Sequence, residues 1–594
     1  MSAEIFEDTL DIDADMVEPV RLDPSNPATL ACYPYPLLQA TGKSQRVPLR
    51  RVILRNEWVE VGIAPDLGGR IISLIDRRTH AEAIPTPTEI RIAPGGLRAV
   101  EWDHGIQFQI GPGGRANSLG PVEMQIQESE DSVLLHELIP GLGVSWQAKV
   151  SLPQNSPRVQ IDCSVFNRSL ATNVFEWGIS GALEGAQPVP EGGLYDEARN
   201  AGFSMSPEKG VLSVAVESPG RTSWTFPSRP WMPRERADHR ISLSPMSGMH
   251  TPTFAGRDLA FSLQDGFLQL LAHRQIADAR VYLLLESGET LESKLDLDAG
   301  LIFDLAIPLE TSIVGVAIEN SRKEPIAHWQ LERQEPSWSQ PLRSSAAEVA
   351  ASIAESGTAE FAYREAVDSL PPDDKSEVLF RQGALSPPLC SAAHVGLSMA
   401  MLARGAPQEA GEQLETALLH NAEDHLAWWL KAVAERLQGQ DDDERPDLLN
   451  SHYLSPMEPA LRAESFLSQA EHGADPSPVI APLSENPEAM IEVACLLLEA
   501  GLSGECARWI DECLRHREVP MLRYLQAWSL LQNSRMAVEA AEQVSVAGKS
   551  PLEPPFPWRG MEKRAIKALA ERFSNDERLQ SLDTLLSAAQ PNTC

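Results

Sequence analysis

Cysteine is scarce in this 594-residue sequence, with seven residues scattered between Cys32 and Cys594 and no CxxC pair. An odd count without a short framework spacing indicates reduced thiols, and the missing CxxC pairs disfavour a thiolate zinc site. Residues 1–16 are acidic and lack the basic and apolar segments of a secretory signal. No apolar run approaches the roughly 18 residues that a membrane-spanning helix needs. We therefore expect a cytoplasmic protein without a bound metal.

Basic residues are also few, with 50 Lys and Arg against 84 Asp and Glu, for a net charge of −34. Such a surface repels phosphate backbones and anionic lipid headgroups, which disfavours nucleic-acid and membrane partners. Aromatic residues make up only 6%, although 13 of them are Trp. An indole can stack on a sugar ring, but filling a core is its more common role.

The recognisable nucleotide and catalytic motifs are absent as well. The sequence contains no GxxxxGK[ST], no GxGxxG after a strand, no HExxH and no GxSxG. The glycine-rich stretches 94–96 and 111–114 lie between strand-like segments and lack a following helix, which is typical of turns. We therefore predict no cofactor.

The sequence does contain two regions with different residue patterns. Residues 45–322 alternate short β-branched and aromatic runs with Gly, Pro, Asn and Asp, which predicts a large antiparallel β-sandwich. The alternation of Val144, Trp146, Ala148 and Val150 places one face of a strand on a core. The predicted strands are 51–63, 70–75, 122–127, 132–138, 143–152, 158–167, 173–180, 267–273, 280–286 and 300–307.

From residue 344 to 594 the sequence becomes rich in Ala, Leu, Glu and Arg, with apolar residues three and four positions apart, which predicts helices. Residues 323–343 hold three prolines and form the predicted linker, and residues 1–44 form the predicted N-terminal extension. Two segments have the spacing of tetratricopeptide hairpins, in which small residues allow close helix crossing; a generic helical bundle is the alternative. The matching positions are Leu397, Ser398, Met401, Ala410, Leu414, Ala417 and Ala422, and Val493, Ala494, Leu497, Cys506, Ile510 and Cys513.

The densest polar cluster lies at residues 98–108, where Glu101, Trp102, Asp103 and His104 are close neighbours. Carboxylates and imidazole exchange protons with hydroxyls near neutral pH, and indole can stack on a ring face, so the cluster has the make-up of a sugar site. An acidic loop with a structural aromatic is the alternative. Arg70 follows two glycines, which permit close approach of a ligand or an unusual turn. The candidate ligand-binding residues are Arg70, Glu101, Trp102, Gln107, Glu176, Trp177 and His273.

The stretch VILRNEWVEVGIAPDLGGRIISLID at 52–76, together with the YPYP at 33–36, resembles the DUF5107 family, an uncharacterised bacterial group. The segment 105–108 and the strand end Phe166-Asn167-Arg168 are similar to further family motifs. The segments 421–429, 454–460 and 486–507 resemble the tetratricopeptide region that follows this domain in the family. The resemblance covers most of the chain.

The family's domain is similar to galactose mutarotases, so the resemblance implies a sandwich fold and a carbohydrate ligand. In mutarotases a Glu base and a His acid open the sugar ring; by loose position the base would be Glu286 and the acid His104 or His239. The family's Glu in the GIEF segment is Gln107 here, and its GH motif is replaced at residues 113–115. An amide cannot abstract a proton but can bind a hydroxyl, which favours a binding protein or a diverged site with altered chemistry.

Three functions remain open from the sequence. The first is a sugar-recognising sandwich joined to a helical array that binds a protein partner or a second copy. The second is a mutarotase, epimerase or glycoside-processing enzyme with a Glu/His pair, which requires both groups to converge in one groove. The third is a non-catalytic scaffold, because a fold alone does not establish an activity.

Overall fold

The computed structural model describes residues 3–111, 115, 117–153, 156–208, 213–218, 220–264, 266–308, 312–331, 357–439, 446–471, 483, 485–532, 534–550 and 554–589. Residues 112–114 of the glycine-rich stretch and 332–343 of the predicted linker lie outside these ranges. Within them, a β half is followed by a helical half, as the texture of the sequence predicts.

The β half contains 28 strands in its described residues. In chain order they are β1 Glu4–Pro19, β2 Leu38–Arg55, β3 Val59–Ala64, β4 Arg70–Asp76, β5 Ala81–Ile84, β6 Glu89–Ile90, β7 Ala93–Pro94, β8 Val100–Glu101, β9 Gly105–Ile110, β10 Glu123–Gln127, β11 Ser132–Ile139, β12 Val144–Ser151, β13 Val159–Asn167, β14 Asn173–Ala182, β15 Gln187–Val189, β16 Gly193–Asp196, β17 Ala201–Pro207, β18 Ser213–Ser218, β19 Arg221–Trp231, β20 Arg236–Ser247, β21 Phe254–Ala255, β22 Leu259–Gln264, β23 Phe267–Ala272, β24 Ile276–Leu285, β25 Thr290–Leu297, β26 Ile302–Ala306, β27 Ile313–Glu319 and β28 Pro325–Gln330.

Two large sheets form the sandwich. The ten-stranded sheet has the order β18-β19-β14-β9-β4-β3-β2-β1-β6, with β5 beside β4, and the eight-stranded sheet has the order β10-β11-β12-β13-β20-β17-β16-β15. Their inner faces share one core that includes Phe108, Trp146 and Trp177. Trp146 and Val150 are at most 1% exposed, which confirms the alternation predicted for β12.

The first 44 residues are not an extension from the sandwich, and that prediction was wrong. Strand β1 pairs with β2 from Glu4 to Pro19, so it belongs to the ten-stranded sheet. Ile12 and Ala14 are buried, while Asp11 and Asp13, which alternate with them, are exposed. The abundance of carboxylates concealed a period-2 pattern that is nevertheless that of a strand.

Strands β21–β28 form two four-stranded sheets that share a separate core, which includes Phe261, Leu270, Val281 and Ile318. The sequence predicted one large sandwich through residue 322, whereas the β half has this second packed unit. Strand β28 pairs antiparallel with β27 and therefore occupies the start of the predicted linker. Its Pro325 stands at the first position of the strand, where a missing N–H is tolerated.

The helical half contains 13 helices in its described residues. They are α1 Ala359–Asp368, α2 Asp374–Gly383, α3 Cys390–Ala403, α4 Pro407–His420, α5 His425–Leu437, α6 Pro446–Leu454, α7 Pro459–Glu471, α8 Pro487–Glu499, α9 Ser503–His516, α10 Pro520–Leu531, α11 Ala537–Ala547, α12 Gly560–Arg572 and α13 Glu577–Ala588. None of them is both long and apolar enough to cross a bilayer.

The two predicted hairpins are α3–α4 and α8–α9. Ala410 and Cys506, the small residues expected at the crossings, are fully buried. Gly405 and Gly501 follow the first helix of each hairpin with φ of 76° and 71°, the left-handed conformation that ends a helix. The hairpin spacing in the sequence is thereby confirmed as packing.

The helical half docks directly on the sandwich. Phe166 and Leu170, at the end of β13, belong to the same apolar cluster as the helices. Beside them the buried Arg168 donates from Nε to Glu492 Oε1 and from Nη2 to Glu458 Oε1, both at 3.0 Å. A shared apolar cluster with buried ion pairs holds the array against the sandwich rather than leaving it tethered.

Candidate functional site

The side of the ten-stranded sheet that faces away from the sandwich core is polar along its central strands. Ile71 pairs with Ile106 and Phe108 with Ile179, and all four point into the core. Because side chains alternate along a strand, the intervening positions face outward. These outward residues are Arg70 on β4, Gln107 and Gln109 on β9, Ser180 on β14 and Arg221 on β19, and we refer to them as the polar face.

Arg70 lies at the base of the polar face and is 1% exposed. Its Nη1 donates to the carbonyl oxygens of Trp102 (2.7 Å) and His104 (2.8 Å), and its Nη2 donates to Gln107 Oε1 (2.7 Å). Burial, aided by the nearby Arg115, lowers the pKa of Arg70 to about 9. The guanidinium therefore organises the 102–107 segment through neutral acceptors.

The turn before Arg70 explains its position. Gly68 and Gly69 both have positive φ, 71° and 69°, which glycine adopts without strain. A Cβ on Gly69 would lie 3.0 Å from a methyl carbon of Leu135, so this backbone is also tightly packed. The Gly-Gly pair thus delivers Arg70 to the start of β4.

Trp102 and His104 stack on each other with ring centroids 5.1 Å apart, and the Arg70 guanidinium lies 5.1 Å from the Trp102 ring. Trp102 is only 5% exposed, so its face is covered by protein rather than available as a sugar platform. The Nε2 of His104 lies 2.9 Å from the carbonyl oxygen of Ile72. Burial lowers the pKa of His104, although contacts with main-chain oxygens oppose the shift.

Gln107 and Gln109 present complementary amide groups. The Gln107 oxygen is taken by Arg70, which leaves its NH₂ group as a donor. The Gln109 Nε2 donates to Ser180 Oγ at 2.9 Å, which leaves its oxygen as an acceptor. Both side chains are partly exposed. A hydroxyl group, which both donates and accepts, matches such a pair.

Charged side chains border the polar face on one side. Arg221 Nη1 lies 3.0 Å from Asp103 Oδ1 and 3.4 Å from Glu101 Oε1. The predicted residues Arg70, Glu101, Trp102, His104 and Gln107 are therefore brought together in one region.

Three other predicted residues, Glu176, Trp177 and His239, do not join this region. Trp177 is 1% exposed inside the sandwich, where its ring stacks on His239 at 5.8 Å. Burial lowers the pKa of His239 to about 4, so it is neutral at physiological pH. Glu176 occupies a bulge in β14 and accepts the Gly111 N–H through its main-chain oxygen.

The remaining two candidates, His273 and Glu286, lie outside the two large sheets. His273 is 1% exposed with Nε2 3.2 Å from Ser204 Oγ, and burial lowers its pKa to about 3. Glu286 is an exposed residue in the turn between β24 and β25. No hydrogen bond or ion pair within the described ranges joins it to His104 or His239. The base and acid predicted from the resemblance are thus not assembled, because they come from separate sheets.

Gln109, Ser180 and Arg221 were missed in the sequence. For Gln109 a signal existed, since GIQFQI alternates and places both glutamines on one side of a strand. Arg221 lies over a hundred positions further along the chain, and only the pairing of β19 with β14 brings it near. Arg115, at the departure from the family motif, is 3% exposed and lies 3.1 Å from Glu137 Oε2.

The sequence model of the family named Domain of unknown function (DUF5107) matches residues 27–187. The match confirms the resemblance over this stretch, which includes Arg70, Gln107 and Ser180. Among the described residues, no three His, Cys, Asp or Glu side chains converge in a way that could hold a metal ion.

Several solved structures are similar to this chain. A TPR-domain containing protein from Parabacteroides distasonis is 13% identical, with 94% of this chain and 98% of that chain covered and a TM-score of 0.37. A galactose mutarotase-like protein from Lactobacillus casei is 8% identical, covers 33% of this chain and 99% of its own, and has a TM-score of 0.24. A polysaccharide lyase is 8% identical over 89% of this chain and 92% of its own, with a TM-score of 0.23. No residue-by-residue correspondence follows at such low identity.

Proposed function

We propose that the polar face recognises a carbohydrate, and that the protein binds this ligand rather than converting it. The observation that carries the proposal is the pair of amides on β9, in which Gln107 offers a donor and Gln109 an acceptor. Neighbouring sugar hydroxyls can accept from the first and donate to the second. Ser180 and Arg221 extend the same face across two further strands.

Recognition is favoured over acid–base catalysis by the state of the histidines. His104 has its Nε2 at a main-chain oxygen, and His239 lies against Trp177 inside the sandwich. An acid or base must reach the reacting group within hydrogen-bond distance, about 2.6–3.2 Å. The exposed Glu286 has neither histidine as a partner, so a mutarotase-like pair is not the function that we propose.

The test is calorimetric titration and thermal shift of the full-length protein with monosaccharides and oligosaccharides. A ligand that binds only the folded protein raises its melting temperature by mass action. Replacing Gln107→Ala should weaken binding about tenfold, because a hydroxyl loses its donor. The matched control is Gln45→Ala on β2, an exposed glutamine of the same sheet. Equal affinity of both variants for every sugar would contradict the proposal.

We further propose that the helical half binds a protein partner or a second copy of the chain. Several large apolar side chains are exposed on the helices, including Leu419 (86%), Tyr453 (85%) and Val538 (79%). Burying such groups against a partner is favourable. Light scattering at rising concentration, with pull-down, should show association that Leu419→Ser and Tyr453→Ser reduce. Leu331→Ser, in the β half, is the control and should leave association unchanged.

A further inference from the structure

A cavity of about 910 Å³ lies between the eight-stranded sheet and the helical half. Strands β10 and β11 supply Glu123 and His136 on one side, and the helical half supplies Arg462 from α7 and Asn486 before α8 on the other. Pockets of roughly 300–1,000 Å³ are typical of small-molecule sites. The cavity is thus large enough for a ligand, and its lining residues include none of the polar face.

Its wall contains buried polar atoms that lack hydrogen-bond partners. His136 is 1% exposed; its Nδ1 lies 3.5 Å from Glu123 Oε2, and neither ring nitrogen makes a hydrogen bond with a described residue. The atoms Glu123 Oε2 and Glu137 Oε1 are also without hydrogen bonds in the described part of the chain. Two of these four atoms, His136 Nδ1 and Glu123 Oε2, face each other, which leaves His136 Nε2 and Glu137 Oε1 without a partner in residues that line the cavity. A buried polar group without a partner is costly, so a ligand that reaches these two residues is favoured.

The charges in this wall are largely compensated. Glu137 pairs with Arg115 at 3.1 Å, and Glu488 pairs with Arg559 at 2.6 Å. Burial raises the pKa of Glu123, but His136 and Arg462 outweigh burial and hold its pKa below the usual value. The wall therefore has spare hydrogen-bonding capacity rather than a large excess of one charge.

We infer that this cavity binds a small neutral molecule rich in hydroxyl groups, such as a free sugar or a cyclic polyol. Carboxylate oxygens only accept hydrogen bonds and a guanidinium only donates them, and a hydroxyl serves both. Met457 and Phe556 supply apolar wall for the C–H faces of such a ligand. This second site goes beyond the function proposed for the polar face and does not depend on it.

Occupancy of the cavity joins the two halves of the molecule. Asn486 Nδ2 already donates to Glu123 Oε1 at 2.6 Å across this junction. A ligand that contacts His136 and Arg462 together touches the sandwich and the helices at once. It therefore stabilises the docked arrangement by mass action, because only the docked protein offers both sides.

The experiment uses full-length protein carrying Gln107→Ala, so that the polar face does not contribute. Glucose, maltose and myo-inositol are titrated calorimetrically, with glycine as a charged comparator. We expect one hydroxylated probe to bind and glycine not to bind. His136→Gln should weaken that binding at least about tenfold, because the buried hydrogen bonds are lost.

Two further variants make the result decisive. Arg462→Met removes the cation on the helical side of the cavity. If His136→Gln lowers the melting temperature, its loss of binding could come from unfolding, and the affinity of Arg462→Met then decides whether the cavity binds the ligand. Arg364→Met, an exposed arginine of α1, is the matched control and should bind as the parent does. Binding of no hydroxylated probe, tighter binding of glycine, or affinity unchanged in the deciding cavity variant would each overturn the inference. Sugar binding by the parent protein that Gln107→Ala abolishes would support the polar face and would also overturn the inference about the cavity.

Discussion

Arg70 and Arg168 are both buried arginines of the β half, at 1% and 5% exposure, but their partners are of opposite kinds. Arg70 donates to two main-chain oxygens and one amide, and burial lowers its pKa. Arg168 meets the carboxylates of Glu458 and Glu492. Burial acts in the same direction on Arg168, but the two carboxylates outweigh it and raise its pKa.

The difference separates two uses of one side chain. At the junction between the halves, the Arg168 cation lies between two carboxylates of the helical half, and these ion pairs hold the helices on the sandwich. On the polar face, a cation on neutral acceptors fixes the orientation of Gln107 without drawing a carboxylate into the site. Buried ion pairs stabilise only while both members are present, so the two sites should respond differently to mutation.

The largest loss of stability is expected from Arg168→Met, which removes the ion pairs with Glu458 and Glu492. It takes from the buried Glu458 and Glu492 the cation that they share, while His425 stays beside Glu458 and Arg559 beside Glu492. Removing one partner of a buried pair costs about 3–5 kcal/mol. Urea unfolding of the full-length protein measures the loss in the free energy of unfolding. A loss below about 1 kcal/mol, the range of exposed pairs, would show that the junction does not depend on this arginine.

A smaller loss, about 2–3 kcal/mol, is expected from Arg70→Met, because three neutral acceptors lose their donor. The same variant should bind sugar more weakly, since the Gln107 amide is no longer oriented. Arg70→Lys restores charge but not the forked geometry, so it should recover stability only in part. Urea unfolding and calorimetric titration measure the two effects, and full sugar affinity in Arg70→Met would separate Arg70 from the site.

The buried His273, whose ring lies beside the neutral Ser204, should make the stability of the protein depend on pH. Its folded pKa of about 3 lies below the ordinary value of 6.5, so the unfolded chain takes up the proton first. Stability is complete above pH 6.5 and falls as the pH drops toward 3, by about 1.4 kcal/mol per pH unit from this group. Urea midpoints between pH 7 and pH 5 measure the slope. His273→Gln should make this slope smaller, while His239, whose pKa is also lowered, continues to contribute. The exposed His250→Gln is the control and should leave the slope unchanged, and equal slopes in the parent and His273→Gln would contradict the assignment.

The smallest effect is expected from Arg240→Met. Arg240 pairs with Asp162 on the surface, and the two side chains are 47% and 32% exposed. Exposed pairs contribute about 0–1 kcal/mol, so urea unfolding should show little change. A loss as large as that of Arg168→Met would show that burial does not make the ion pairs at the junction more stabilising than this exposed pair.

Much of the fold could be predicted from the sequence, because it depends on local periodicity. The alternation around Trp146 predicted β12, and the small residues at Ala410 and Cys506 predicted the two hairpins. Strand β1 was missed because carboxylates outnumber apolar residues in it, and β28 because it begins at a proline. Both segments are strands because they pair with a neighbouring strand, β1 with β2 and β28 with β27, which their composition does not reveal.

The candidate site could be predicted only where its residues are neighbours in the sequence. The segment from Glu101 to Gln107 and the Gly-Gly turn before Arg70 were found. Arg221 was not, because strand pairing over a long separation brings it in. Glu286 was assigned by analogy and lies in an exposed turn, since one position in a family pattern does not fix which sheet a residue occupies.

Arg168 is synthesised long before the two carboxylates that pair with it. Strands β1 to β28 leave the ribosome before Glu458 and Glu492 have been translated. The emerging sandwich therefore displays Phe166 and Leu170, with an unneutralised arginine beside them, until the helices arrive. Because Tyr363 of α1 and His425 of α5 already contact Leu170 and Phe166, chains truncated before α1 should retain this apolar surface and aggregate more readily.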